Sequence, residues 1–174
     1  MNKKVVFTIV GAIFLAGCAS GVTRTPSITV DRAALSPNNQ VASVSVSLTD
    51  EAKKKETENL KFNPEELLSH VKRAIEAQSL LNGSGDKPRP NLEIQIKDMR
   101  IRSNFSAVMW GFMAGADSVT GDIVLKDPGG KEIDRYEVSV SYAMGGIGGG
   151  QDSARMGWLY EKFAEETVKE LTRQ

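Results

Sequence analysis

Two runs of alternating residues around one turn signal constrain the fold more than any other feature of the chain. From Ser118 to Lys126, Val119, Gly121, Ile123 and Leu125 point one way and Thr120, Asp122 and Val124 the other. From Ile133 onward, Tyr136, Val138, Val140 and Tyr142 alternate with Arg135, Glu137, Ser139 and Ser141. A period of two is that of a strand with one face on a core. Between the runs, Asp127-Pro128-Gly129-Gly130 is a tight turn, because proline presets its φ and glycine accepts a positive one. The two strands therefore pair as an antiparallel hairpin, and the rest of the chain must build a sheet around it.

The remaining elements follow from the same reasoning. Val44, Val46 and Leu48 alternate with Ser43, Ser45 and Ser47, which predicts a strand with a hydroxyl-rich outer face. Asp50 to Asn59, with Lys53-Lys54-Lys55, reads as a solvated loop or helical turn. Asn63-Pro64-Glu65-Glu66 announces a helix: asparagine caps free amides, proline suits the first turn, and Glu66 stands at the capping-box position. Its apolar stripe is Leu67, Leu68, Val71, Ile75 and Leu80, so it is expected to run to about Ser79 and end at Asn82-Gly83-Ser84-Gly85. Leu92, Ile94 and Ile96 then alternate with Glu93, Gln95 and Lys97. The alternation resumes out of phase at Met99 and Ile101, which predicts a bulge or bend, or an outer face becoming covered. A last helix, capped by Asp152 or Ser153, carries Met156, Leu159, Tyr160, Phe163, Val168 and Leu171 on one face, with Glu161, Lys162, Glu165, Glu166, Lys169 and Glu170 mostly elsewhere. The expected class is α+β in the order β-α-β-β-β-α, an antiparallel or mixed sheet of about four strands with two helices packed on it.

The N-terminus has a different character. Met1-Asn2-Lys3-Lys4 is positively charged, and Val5 to Leu15 is an uncharged apolar run of 11 residues. That is short of the roughly 20 that a membrane-crossing helix needs, so the run reads as an export signal. It closes on Leu15-Ala16-Gly17-Cys18, which contains the only cysteine and resembles the lipobox of bacterial lipoproteins. The resemblance implies a signal peptide over 1–17, cleavage before Cys18, and acyl chains such as palmitate on its sulfur and new amino group. Cys18 is then a membrane tether. Because each buried methylene contributes about 0.8 kcal/mol, two or three chains hold a protein nearly permanently. By similarity to enterobacterial sorting, Ala19 implies the periplasmic face of the outer membrane. Residues 18–40 are rich in Ser, Thr and Asn with Pro26 and Pro37, so a flexible lipid-anchored linker is expected there, a strand at Ser27 to Val30 being the alternative. A single domain is expected over 41–174.

Charge narrows the partners. The chain has 22 basic and 22 acidic residues, and loss of the leader removes Lys3 and Lys4, leaving 20 against 22. Neither a nucleic-acid footprint nor a polybasic lipid-binding block is present in that pattern.

Candidate sites are few. The run from Phe105 to Gly115 gathers Phe105, Val108, Met109, Trp110, Phe112 and Met113 around Gly111 and Gly115. It reads as a connection packed over one end of the sheet. Alternatively it is an interaction surface formed by Phe105, Met109, Trp110, Phe112 and Met113, or a glycine-spaced site of close helix approach. Gly145-Gly146-Ile147-Gly148-Gly149-Gly150 precedes a helix, the form of an anion site. It lacks the lysine and hydroxyl of a P-loop and does not open a βαβ unit, so a linker is expected. His70, the only histidine, lies next to Val71 and off the centre of the apolar stripe, and without a second histidine or a cysteine it is expected to be a surface or boundary residue. Asp117, Asp122 and Asp127 recur every five residues, which sends successive members to opposite strand faces. No nucleophile, base and oxyanion constellation emerges. No catalytic, cofactor or metal site is therefore expected, and the chain is expected not to be an enzyme.

The block from Leu92 through Gly115, Asp117 to Leu125, Asp127 with Gly129-Gly130, Tyr136 to Val140, the glycine cluster and the closing helix resembles a family of bacterial envelope lipoproteins known as a domain of unknown function. The similarity lies in Met99-Arg100-Ile101-Arg102, Gly111-Phe112-Met113-Ala114-Gly115 and the late glycines, and covers about the C-terminal half. The expected role is a non-catalytic interaction or accessory module of an envelope assembly or transport system, bound to the membrane through Cys18 and to a protein partner. The competing expectation is a carrier of a small apolar ligand or lipid near Trp110 and Trp158, with Trp110 exposed in the free domain under the first reading.

Overall fold

The computed structural model describes residues 19–24, 34–58, 61–82, 87–103, 106, 109, 115–143 and 152–173. Its elements in chain order are β1 (Ala19–Thr23), β2 (Ser43–Leu48), α1 (Asp50–Glu56), α2 (Pro64–Ala77), β3 (Asn91–Arg100), β4 (Asp117–Lys126), β5 (Glu132–Tyr142) and α3 (Asp152–Leu171). The strands form one five-stranded sheet in the order β1-β5-β4-β3-β2. The β2–β3 pair is parallel and the other three are antiparallel. The fold is the expected α+β, with one strand and one helix more than expected, β1 and α1.

The hairpin and the bulge lie where the alternation puts them. In the β4–β5 hairpin Val119 faces Val140, Gly121 faces Val138 and Ile123 faces Tyr136, and all six are buried. The β3–β4 register shifts between Ile96 and Asp98, so Leu92, Ile94, Ile96 and then Met99 all reach the core. Gly121 pairs with Ile96 at a close approach of three elements. A Cβ there would lie 3.0 Å from Ile96 Cδ1 and 3.3 Å from Phe163 Cζ, so a side chain at this position would require Ile96 and Phe163 to give way by a few tenths of an ångström.

The helices cover one face of the sheet. Asn63 caps α2 by accepting from the Glu65 and Glu66 amides at 3.0 and 3.2 Å, and Pro64 occupies its first turn. The helix ends at Ala77, two residues earlier than expected. Ser79 adopts φ 56°, which turns the chain so that Leu80 enters the core with its amide on the Ile75 carbonyl at 3.0 Å. The turn is thus made before the glycines of 83–86, which lie outside the described residues. α1 realises the helical-turn reading of Asp50 to Asn59, capped by Thr49 and anchored by buried Ala52. The opposite face of the sheet is a lattice of ion pairs: Lys97 with Asp122 and Glu137 at 2.9 and 2.5 Å, Arg135 with Asp122 at 3.1 Å, and Lys126 with Glu93 at 2.6 Å.

Tyr160 joins the helices. It is buried, stacks edge-on with Phe62 at 5.8 Å, and its hydroxyl accepts the Asn63 amide hydrogen at 2.7 Å. Burial pushes its phenol up to about 12, against the Asn63 bond, which lowers it. Unfolded tyrosine titrates near pH 10, so the native state holds this proton more tightly. The stability it contributes is full below about pH 10 and is lost as the pH rises towards 12. Urea unfolding between pH 8 and 12 is expected to show that fall, and Tyr160→Phe is expected to shrink it.

The leash expected over 18–40 is corrected by two described stretches. Ala19 to Thr23 pair with Ser141 to Glu137 as an edge strand. Further on, Leu35 is buried, its amide bonded to the Leu171 carbonyl at 2.9 Å, and the Val41 amide bonds the Leu80 carbonyl at 2.8 Å. β1 escapes detection because Val22 is its one large apolar side chain, so periodicity has nothing to register. Its hold is the backbone ladder together with polar side chains. The alternative strand at Ser27 to Val30 falls outside the described residues.

Candidate functional site

The sheet end from which β1 starts holds a cluster of buried charges. Ala19 of β1 pairs with Ser141, Tyr142 at the end of β5 pairs with Asp117 at the start of β4, and Ser118 pairs with Arg100 at the end of β3. The β3–β4 connection leaves and re-enters the sheet here, and α3 follows from the chain beyond Tyr142.

Asp117 lies at the centre of this end, fully buried. One carboxylate oxygen accepts the Arg102 amide at 2.6 Å. The other accepts from the Arg102 guanidinium at 3.0 Å and from Arg155 at 2.9 Å. Both arginines are buried as well, at 5% and 1% exposure. They also donate to main-chain oxygens that the strand ladder leaves over: Arg102 to Gly115 at 2.8 Å and Tyr142 at 3.1 Å, and Arg155 to the Arg102 carbonyl at 3.2 Å. Asp152 in the first turn of α3 bonds both Arg155 and Lys61. Burial lowers the Lys61 pKa, Arg155 lowers it further, and Asp117 acts the other way. The cluster therefore sews the ends of β3, β4 and β5 to α3. Gly115, at φ +85°, lets the returning chain pass beside Arg100, whose guanidinium nitrogen would lie 2.6 Å from a Cβ there.

A second polar assembly locks β1. The Arg24 guanidinium donates to Asp134 at 2.6 and 3.2 Å and to Glu170 at 2.6 Å, with its carbon 4.8 Å from the Tyr136 ring centroid. Burial alone would lower its pKa, but the bonds to Asp134 and Glu170 raise it. Ser20 donates to Glu166 at 2.9 Å. Burial would raise the Glu166 pKa, yet Ser20, Lys162 and Lys169 hold it below the usual carboxylate range. Glu166 and Glu170 are both buried, which corrects their placement on the polar side of the last helix: β1 covers them.

The residues singled out in the sequence fall as follows. Cys18 and, of the apolar run, Phe105, Trp110, Phe112 and Met113 lie outside the described residues. Met109 is described, helical and 64% exposed. Trp158 is half-buried against Tyr142, ring centroids 5.0 Å apart. His70 is half-buried on α2, its ring 5.8 Å from that of Tyr160. Burial lowers its pKa, as does Arg73, against Glu66 and Glu161. It lines an open cleft of about 790 Å³ between the outer sides of α2 and α3, with Arg73, Gln78, Glu161, Glu165 and Lys169. Asp117 is in the buried cluster, Asp122 in the outer ion-pair lattice, and Asp127 in the hairpin turn, where its carboxylate accepts the Lys131 amide at 2.9 Å. The glycines of 145–150 lie outside the described residues. The sequence reading missed the Arg102–Asp117–Arg155 cluster and the Arg24 lock.

Residues 25–146 match the sequence profile of a domain of unknown function, DUF4410. The chain belongs to this family. The match begins well before Leu92 and stops before α3, so the DUF4410 likeness extends further towards the N-terminus than the block from Leu92 and does not include the closing helix. It also leaves out β1. No curated protein matches the chain. Among solved structures, the chain is similar to the PelC dodecamer from Paraburkholderia phytofirmans, at 15% identity and a TM-score of 0.49 over 90% of this chain and 99% of that one. It is also similar to a minor lipoprotein from Acinetobacter baumannii, at 12% identity and a TM-score of 0.45 over 77% of this chain and 92% of that one.

Proposed function

We propose that this DUF4410 chain is an envelope lipoprotein, acylated on Cys18, whose domain serves as a non-catalytic interaction module on the periplasmic face of the outer membrane. The observation that carries the reading is Leu15-Ala16-Gly17-Cys18 closing a charged and then apolar leader. Cleavage before Cys18 spares every described element, since β1 begins at Ala19. No helix among the described residues is long and apolar enough to cross a membrane; in this reading the anchor is the acyl chains on Cys18. The interaction role is supported by the use of the buried charges. Arg102, Asp117 and Arg155 spend their hydrogen bonds on one another and on strand-end carbonyls, which is structural work. Met109, from the run singled out as a possible interaction surface, is exposed. The cleft between α2 and α3 mixes Ala74, Ala77, Ala164 and Val168 with His70, Arg73, Glu161 and Lys169, and Trp158 does not line it.

Cells producing the chain are expected to incorporate an alkyne fatty acid into it and to retain it in the outer-membrane fraction. Cys18→Ser is expected to abolish labelling and release the protein from that fraction. An unlabelled chain that still pellets with membranes would overturn the lipoprotein reading. Crosslinking in cells is expected to trap a discrete envelope partner with the wild-type chain, and native mass spectrometry to show no co-purified lipid in the domain interior.

A further inference from the structure

A lipid anchor on Cys18 would be attached to the fold with no spacer. Consecutive Cα atoms are about 3.8 Å apart, and Ala19, the next residue, is already paired with Ser141 in the sheet. A flexible linker as long as 18–40 would instead allow an excursion of roughly 25 Å, scaling as 5–6 Å times the root of its length. β1 is also not free to peel away. Its five residues are paired with β5, Ser20 is tied to Glu166, and Arg24 to Asp134 and Glu170.

We infer that the sheet end formed by Ala19, Tyr142, Asp117 and Arg100 sits directly on the headgroup layer of the bilayer, so that the domain is held in one orientation with its β4–β5 turn pointing away. The inference rests on acylation of Cys18 and deepens that reading by naming the surface that meets the lipid. The partner is the phospholipid surface itself. The register places the start of β1 at the same end as the β3–β4 connection, and that connection carries the exposed Met109. Arg100, also exposed, ends β3 at the same end of the sheet. The opposite end, at Gly130 and Lys131, is the length of β4 away, about 30 Å at some 3.3 Å per residue. A contact at one end therefore excludes contact at the other.

Because the one native thiol is consumed by acylation, single labelling sites can be introduced into the full mature chain. Ser103→Cys marks the anchor end and Lys131→Cys the far turn, both exposed positions. Each chain would carry an environment-sensitive dye and be reconstituted into vesicles of phosphatidylethanolamine and phosphatidylglycerol containing lipid-borne quenchers. The dye at 103 is expected to be quenched several-fold more than the dye at 131. A Gly-Ser spacer of about ten residues inserted after Cys18 reaches roughly 17 Å and is expected to bring the two signals together while both chains stay on the vesicles. Equal quenching without the spacer, in chains whose intact mass shows the acyl groups, overturns this inference alone. A difference that survives the spacer overturns it too, since orientation would then not come from the tether. A chain without acyl mass overturns both this inference and the lipoprotein reading.

Discussion

Asp117→Ala is expected to destabilise the domain by about 3–5 kcal/mol, the cost of removing one member of a buried ion cluster and leaving its partners charged and unpaired. Here the stranded partners are two, Arg102 and Arg155, both buried, and the Arg102 amide also loses its acceptor at 2.6 Å. For a domain of this size, a loss of that order lowers the melting temperature by about 10 °C or more. Calorimetry on the domain and on Asp117→Asn separates charge from hydrogen bonding. Asparagine keeps an acceptor for the Arg102 amide but carries no charge, so its loss is expected to fall between wild type and alanine. Replacing all three residues by Arg102→Met, Asp117→Leu and Arg155→Met is expected to recover part of the stability and no more. The arginines also serve the carbonyls of Gly115 and Tyr142, which apolar side chains would leave bare.

Arg24→Gln is expected to cost about 2 kcal/mol, typical of charge-assisted bonds to groups that stay buried, and to act locally as well as globally. Glu170 is 4% exposed. Without Arg24 its remaining described ion pair is with Arg173, at 3.5 Å. Hydrogen exchange is the decisive measurement. Amides in the β1–β5 ladder are expected to lose protection well before those in the β3–β4 ladder. Uniform loss across the sheet would show that β1 is not a separately opening unit. A double substitution, Arg24→Gln with Glu170→Gln, is expected to be milder than the sum of the two, because the residues share one assembly.

These two sites also show where the sequence was readable and where it was not. The hairpin, the bulge after Ile96 and the Asn63 cap are local: alternation, a change of phase and a capping residue each sit within a few positions of what they specify. The Asp117 cluster joins residues separated by 15, 38 and 53 positions, and no period links them. A signal was nonetheless present. Asp117 is in phase with Val119, Gly121 and Ile123, so a carboxylate begins the core face of a strand, and Arg155 precedes Leu159 and Phe163 at helical spacing on a buried face. A charged residue in core phase calls for a buried partner of opposite sign. β1 and its two carboxylates were misread together. With only Val22 to mark it, the strand looked like linker, and without the strand, Glu166 and Glu170 looked like solvent-facing acids. Identifying either one would have exposed the other.

The N-terminal strand also sets an order of events. Ser20 meets Glu166 across 146 residues of sequence, and the ladder joins Ala19 to Ser141, so nearly the whole chain must be made before the first strand has a place to go. Such long-range closure is slow because its entropy is lost before any contact compensates. Until it happens, the outer edge of β5 is a row of unpaired amides and carbonyls, the kind of edge along which sheets from different molecules join. A variant that delays β1 is therefore expected to fail first as aggregation during export, in chains whose finished fold is only modestly weakened.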